Sequence, residues 1–508
     1  MSRRLLAWNS LSGFLYYLIS MGIAFVMAPF LVHHLGNGGY GFWELIMGLV
    51  GYLGVLNIGV SPAVMRHVAL ASGEGNPKRL VQVINTGFAT FICAGAAGAL
   101  LLVAVSLKPA LFFGRLPFAL TETREVLWLG GVIFLLTFTR ATFTASLMGL
   151  QYHRIVNSVR AVLTILQAVA IYLLLVHSDI DALVKMASVS AISLTVESGI
   201  AALILMRILK SGFDPRKASW KEGRELFGFG VKSIGLMSSG SLMQEGLLFV
   251  ISHALGAAFV TFYVLCRRLV QYGVGFVTSV GYPITPYLAT SLGHRGLDGV
   301  RESFDYTTRI MQFIQGGIAI GLFWLGLPFL AHWMGPQYAL RGIPIFYLMA
   351  FSFAFNIFAS NANRTLLSLN KHGTPALVSM LLAAVAFVLA LVLVPRFGLT
   401  GAAIAAVVFQ LSFNVVQVVL VCRAVGISVF KHIKGTIQRL TLPVLSGCLA
   451  MAEMLRNFPP NTYLHIFLCA IGSGTAYLLT GIFTVSTHAE RKAFYAFARH
   501  RLFPLSAA

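Results

Sequence analysis

The sequence predicts an all-α polytopic membrane protein of about 14 transmembrane helices, arranged as two parallel-repeat six-helix lobes followed by two C-terminal helices. Three observations predict it. Hydrophobic residues fill 57% of the 508 positions and charged residues only 10%, and the mean hydropathy of +0.82 lies far outside the range of soluble domains. The apolar residues gather into runs of roughly 20 or more, the length needed to cross about 30 Å of hydrocarbon. One stretch near the start of the chain is partly spelled again 220 positions later.

Runs of this length exclude a membrane β-barrel, whose strands are about ten residues of alternating polarity. A helix closes its own backbone hydrogen bonds, which hydrocarbon demands. The opening "MSRRLLAW" leads into an apolar run, 8–32, that is too long for a signal peptide and ends in no small-residue cleavage site, so it reads as a retained first span. "HHLGNGGYGFW", residues His33 to Trp43, follows with four glycines and no Lys, Arg, Asp or Glu; it reads as a chain reversal into span 2 at 42–68. Spans 3 to 6 fall at 80–106, 126–150, 158–177 and 182–209.

The segment "KSGFDPRKASWKEGRELFGFG", 210–230, sets Phe213, Trp220, Leu226 and Phe227 among many charges and reads as an interfacial linker helix. Spans 7 to 12 fall at 226–254, 258–290, 306–332, 342–368, 374–395 and 398–423, and spans 13 and 14 at 438–455 and 462–484. The expected organisation is an N-lobe at 1–209, the linker, a C-lobe at 231–424, the last two helices within 425–486, and a basic tail at 487–508 containing "ERKAFYAFARHRLF".

A formal charge of +21 would point to nucleic acid in a soluble protein, so its placement decides. With both termini taken as cytoplasmic, most of the 37 Lys and Arg residues fall in inside segments and adjoining helix ends, seven of them between Arg207 and Lys232. That is the positive-inside pattern, and it makes the charge a matter of topology and of attraction to anionic lipid head groups rather than of a nucleic-acid partner. The five cysteines lie in or near apolar spans without metal-ligand spacing, and no Walker A, HExxH or GxSxG pattern occurs. An ATPase, a grafted enzyme domain and a metal or other cofactor are not expected.

The repeat sets the architecture. Shifted by 220, "HALGAAFVTFY" (His253 to Tyr263) aligns with the first turn, pairing His33 with His253, Leu35 with Leu255, Gly36 with Gly256, Phe42 with Phe262, Leu45 with Leu265, Leu49 with Leu269, Val50 with Val270 and Tyr52 with Tyr272. Spans 1 and 2 thus map onto spans 7 and 8, an even offset that keeps both copies in one membrane orientation, with a pathway expected at the lobe interface.

Charges deep in spans are costly and face cavities or partners. The deepest cations are Arg140 in span 4 and Arg267 and Arg268 in span 8; the deepest acids are Glu44, Glu197 and Glu245. Glu245 lies eleven residues before Gly256 and Arg267 eleven after it, so helices reversing at that glycine set both about 16 Å from the turn, level with each other and able to pair. That pair is either a buried structural bridge or a proton, cation or displaceable counter-charge site. A polar stripe through Thr261, Arg268, Gln271, Gly275, Thr278 and Ser279 makes Arg268 the cavity candidate and Arg267 the partner of Glu245. Span 2 carries Glu44, Gly48, Tyr52 and Arg66 along one line, where close helix packing and snorkelling at the inner end are the simpler readings. Span 10 carries Asn356, Ser360, Asn363 and Arg364. His33, His34 and His253 sit at span ends and read as solvated anchors before proton relays.

These stretches resemble a known family. "HHLGNGGYGFWELI" resembles the LG-x-x-x-YG-aromatic signature after the first helix of Wzx-type polysaccharide flippases, a branch of the multidrug/oligosaccharidyl-lipid/polysaccharide exporter superfamily; "NIGVSPAVMRHVA" resembles its second-helix ending. "ALGAAFVTFYVLCRRL", with Thr261 where the family often has Gly, and "LSLNKHG" with "LVPRFGLTGAAIAAVV" are similar to its later helices, so the resemblance spans roughly residues 8 to 424. It implies a polyprenyl-diphosphate-linked oligosaccharide moved from the cytoplasmic to the outer leaflet of a bacterial inner membrane for O-antigen, capsule or exopolysaccharide synthesis. On that expectation Arg66, Arg140, Arg268 and Arg364 hold phosphate and acidic sugar through guanidinium forks, Tyr52 and Tyr272 stack on sugar faces, Asn356 and Asn363 add polar contacts, and Glu245, Glu197 and Glu44 couple an ion gradient. Expected partners are membrane lipids, a polysaccharide polymerase and other assembly proteins. A cation-coupled drug antiporter or a peptidoglycan-precursor flippase of the same superfamily is the alternative, weakened by the absence of charge in span 1. A glycan polymerase or ligase ranks lower, because its outer loops would be larger than 107–125.

Overall fold

A computed structural model describes residues 3–53, 55–177, 180–209, 214–281, 283–371 and 373–485, with side chains described outside 3–11, 52–60, 215, 227–238, 242 and 286. In chain order the helices are α1 (Arg3–Leu53), α2 (Val55–Gly73), α3 (Pro77–Leu107), α4 (Pro109–Phe113), α5 (Leu120–Gly149), α6 (His153–His177) and α7 (Ala182–Leu209). After a 3₁₀ turn at Pro215–Lys217 come α8 (Trp220–Leu255), α9 (Ala257–Gly281), α10 (Ile284–Met334) and α11 (Pro336–Phe355). A second 3₁₀ turn, Asn356–Ala359, leads to α12 (Ala362–Ser368), α13 (Gly373–Val425), α14 (Val429–Asn457) and α15 (Tyr463–Thr484). Among the described residues no strand occurs, and nine helices are long and apolar enough to cross a membrane. The all-α, multi-pass fold class holds.

Several helices are too long for one crossing. The 53 residues of α13 would reach about 80 Å if straight, more than twice the hydrocarbon thickness. Its backbone breaks at Gly398, the first residue of predicted span 12, and α1 breaks at Gly36, between spans 1 and 2. Gly36 (φ 64, ψ 174) and Gly256 (φ 102, ψ 158) both occupy a region that only glycine enters without strain. The two glycines paired by the repeat therefore make the same unusual bend.

Two expectations need correction. Span 8 was expected to run to 290, yet α9 ends at Gly281 and α10 begins after Pro283. Proline has no N–H for the helix ladder, and residues 284–295 form their own segment before a further break at Gly296. Span 10 is also discontinuous: α11 stops at Phe355, a 3₁₀ turn follows, and Asn361 leaves helical geometry (φ −117, ψ 0) before α12. The Asn side chains of "NIFASN" bond to other helices instead, Asn356 to Gln315 and Asn414 and Asn361 to Thr307 and Thr308.

By internal contacts the chain falls into two compact units, Met1–Val264 with Ser379–Ala406, and Leu265–Val378 with Val407–Ala508. These boundaries cut the chain elsewhere than the repeat does, placing α8 and part of α13 with the first unit. In the first unit, glycines let α3 and α5 approach closely: Gly98 is covered by the Phe134 ring and Gly131 by the backbone of Ala99. In the second, Tyr477 stacks on Phe313 at 4.6 Å and its hydroxyl donates to the Phe313 carbonyl at 2.7 Å, over Gly316 and Gly481. Val300, Phe304, Leu366, Val421 and Cys422 form another buried cluster there.

Candidate functional site

The best-defined charged site inside the predicted spans lies in the first unit, where α5, α6 and α7 meet. The Arg140 guanidinium donates from Nη1 to Glu197 Oε2 at 3.0 Å, and Arg160 donates from Nε to Glu197 Oε1 at 2.9 Å. One carboxylate is thus shared by two cations, leaving the group with one net positive charge. Arg160 also donates to the Thr144 hydroxyl at 3.3 Å, and that hydroxyl donates to the Arg140 carbonyl at 3.0 Å. The Glu197 side chain is 8% exposed, against 24% for Arg140 and 20% for Arg160. Arg140 Nε is buried with no hydrogen-bond partner among the described residues, so the cluster keeps an unused cationic donor.

Helix reversal explains why these three meet. Arg140 stands eleven residues before Gln151, a left-handed turn residue (φ 71), and Arg160 stands nine after it. Both therefore lie about 13–16 Å from that turn at 1.5 Å per residue. Arg140 and Glu197 were expected to serve substrate and ion coupling separately, but the structure brings them together. Arg160 was missed in the sequence because it lies close to a span end, among inside-loop cations. The level-matching that pointed to Glu245 and Arg267 finds it when applied at Gln151.

The other predicted residues stand in both units. Glu245 is half-buried in the first unit, its carboxylate so close to Gly48 that an added Cβ would stand 2.9 Å from Oε2. Glu44 is half-buried and Arg66 exposed, both with polar or electrostatic partners. The Tyr52 side chain lies outside the described residues, as does the tail. Arg267, Arg268 and Tyr272, in the second unit, are half-buried and engaged with neighbours. The Arg364 guanidinium lies against Gly281, where any Cβ would overlap it, and donates to the Ser360 carbonyl at 2.9 Å. Asn356 belongs to a carboxamide chain: it accepts from Gln315 at 3.3 Å and donates to Asn414 at 2.8 Å, which also accepts from Gln410 at 3.1 Å. Asn363 is exposed. Among the described residues no cluster of three or more His, Cys, Asp or Glu could hold a metal ion.

At the repeated turns, the first unit packs its two copies against each other. The Thr261 hydroxyl donates to the Asn37 carbonyl at 2.7 Å, and Gly41 sits so close to the Ala257 carbonyl that no side chain fits between them. The 108–118 segment covers this pair: the Ser252 hydroxyl donates to the Phe113 carbonyl at 2.7 Å, Gly114 touches the His253 backbone, and Phe113 meets Phe42 edge-on at 5.2 Å.

No family model matches the chain. It is 26% identical over 454 residues to "Uncharacterized membrane protein EpsK" of Bacillus subtilis (strain 168), covering 86% of this chain and 87% of that one. It is 24% identical over 413 residues to the "Putative O-antigen transporter" of Shigella flexneri, covering 78% and 93%. Among solved structures, "Lipid II flippase MurJ, inward closed conformation" superposes with a TM-score of 0.70 at 16% identity over 97% of this chain and 99% of that one. An inward-facing MATE family transporter of the MOP superfamily superposes with a TM-score of 0.64 at 14% identity, covering 81% and 94%. The chain is a multi-pass membrane protein with the fold of this exporter superfamily.

Proposed function

We propose that this chain is a flippase, a transporter rather than an enzyme, moving a polyprenyl-diphosphate-linked oligosaccharide from the cytoplasmic to the outer leaflet by alternating access. The observation that carries the reading is the Arg140–Glu197–Arg160 cluster, a net cation among predicted membrane helices whose arginines stay partly exposed while the acid is buried. Such a group suits a diphosphate or acidic sugar and is unsuited to a cationic drug. The relative named as an O-antigen transporter supports the glycan class.

In this reading the repeat defines the lobes, 1–209 and 231–424, joined by the linker 210–230 and followed by 425–486 and the tail 487–508. The protein sits in the bacterial inner membrane with both termini cytoplasmic, and the paired turns at Gly36 and Gly256 are the outer closure. Arg66, Arg140, Arg268 and Arg364 attract the head group, with Tyr52, Tyr272, Asn356 and Asn363 supplying stacking and polar contacts. Glu245, level with Arg267, and Glu44 are the coupling acids. Glu197 serves first to hold two arginines in place. The product is then consumed by a polysaccharide polymerase and its assembly partners.

The test is leaflet translocation of a fluorescent lipid-linked oligosaccharide in proteoliposomes, comparing wild type with Arg140→Ala, Arg268→Ala and Glu245→Gln. Wild-type activity equal to empty liposomes overturns the flippase reading. Full activity in all three variants overturns the site assignment alone.

A further inference from the structure

The linker, which runs into the first turns of α8, carries exposed cations around a buried acid. Two of its acids face cations of the protein: Glu222 is buried and accepts from Arg79 Nε at 3.0 Å, and Glu225, its side chain 43% exposed, stands 3.8 Å from the buried His67 and 4.0 Å from Arg79. Its backbone is also tied down, since Asp214 N–H donates to Asn85 Oδ1 at 2.8 Å and Ser219 N–H to Thr86 Oγ1 at 2.9 Å. The cations Arg216, Lys217, Lys221 and Arg224 are all exposed, and between them Trp220 is 89% exposed.

Depth identifies what this surface meets. The 31 residues of α3 span about 46 Å, which overhangs a 30 Å hydrocarbon layer by about 8 Å at each end. Asn85 and Thr86 lie eight and nine residues beyond Pro77, about 12–14 Å along the helix, whereas Arg79, which holds Glu222, lies about 3 Å along it, so the linker segment tied to these residues straddles the edge between head groups and acyl chains. An exposed indole is at home at that level, and in bulk water it is not.

We propose that Arg216, Lys217, Lys221 and Arg224, with Trp220 as the apolar anchor, form a docking strip for anionic phospholipid head groups, selecting them over zwitterionic ones. Each cation near the surface adds to the attraction, and burying Glu222 against Arg79, with Glu225 held beside His67 and Arg79, reduces the negative charge that would cancel it. The strip fits a lipid-borne phosphate rather than a dissolved one, because Trp220 needs the acyl boundary beside it. The proposal is independent of the flippase reading.

The experiment places the full chain in nanodiscs containing brominated lipid, either phosphatidylglycerol or phosphatidylcholine, at equal mole fraction, and reads tryptophan quenching. The Trp220 contribution is the difference between wild type and Trp220→Phe. Expected is a Trp220 contribution roughly threefold larger with the brominated anionic lipid, falling to parity in the quadruple variant Arg216→Gln, Lys217→Gln, Lys221→Gln, Arg224→Gln and at high salt. Added inorganic phosphate at matched ionic strength leaves the quenching unchanged if the ligand is lipid-borne. Equal quenching by the two lipids in wild type overturns the selectivity, and no Trp220 quenching by either overturns the placement. Selectivity that survives the quadruple variant overturns the assignment to these residues. The four side chains are exposed and the Arg79–Glu222 contact is untouched, and unaltered quenching of the other tryptophans checks that the variant is folded.

Discussion

Replacing Glu197 with Gln removes the one negative charge between two arginines while keeping its size. The carboxylate accepts charge-assisted hydrogen bonds at 3.0 and 2.9 Å, and each bond of that kind contributes about 1.5–3 kcal/mol. Their loss sums to roughly 3–6 kcal/mol. Both arginines are a fifth to a quarter exposed, so water recovers part of this. The discounted cost is roughly 2–4 kcal/mol. Reversible unfolding of the purified protein in a denaturing-detergent titration measures it, and a double-mutant cycle with Arg160→Gln isolates the pair, with an expected coupling of about 1–3 kcal/mol. Glu197→Gln within about 0.5 kcal/mol of wild type, together with additivity in the cycle, refutes the claim that the carboxylate holds the two arginines.

Three further outcomes follow from the packing. Gly41→Val lowers stability by about 1–3 kcal/mol by forcing a side chain against the Ala257 carbonyl, whereas Gly51→Val, at a position with open space around it, leaves stability near wild type in the same titration. Gly256→Ala meets no atom within 4 Å yet costs about 1–3 kcal/mol through backbone strain alone, visible as a lowered thermal midpoint. Glu222→Gln loosens the linker from α3, and hydrogen exchange of amides 214–226 accelerates several-fold while that of α5 does not.

Much of this molecule was legible in the chain. Hydrocarbon admits only backbones that satisfy themselves, so apolar runs of sufficient length predict helices with few competing solutions. The turn at Gly36 and its copy at Gly256 were equally legible, because a glycine-rich reversal without charges between two apolar runs has one simple reading, and both glycines take backbone angles closed to other residues. The breaks after Gly281 and at Asn356–Asn361 were less so: hydropathy averages over a proline or a pair of asparagines that the backbone cannot ignore.

The sequence by itself determined the fold class, the repeat and the kinds of charge carried into the membrane, since each follows from local composition or from spacing along one chain. Only the tertiary structure decided who meets whom. Arg160 joins Arg140 on Glu197, Arg364 folds against Gly281, and the linker's Glu222 is buried on Arg79 while its cations stay out. A lone charge in an apolar run shows that a partner is needed. Its partner is set by the rotation and level of neighbouring helices, quantities that arise only when side chains from distant segments pack.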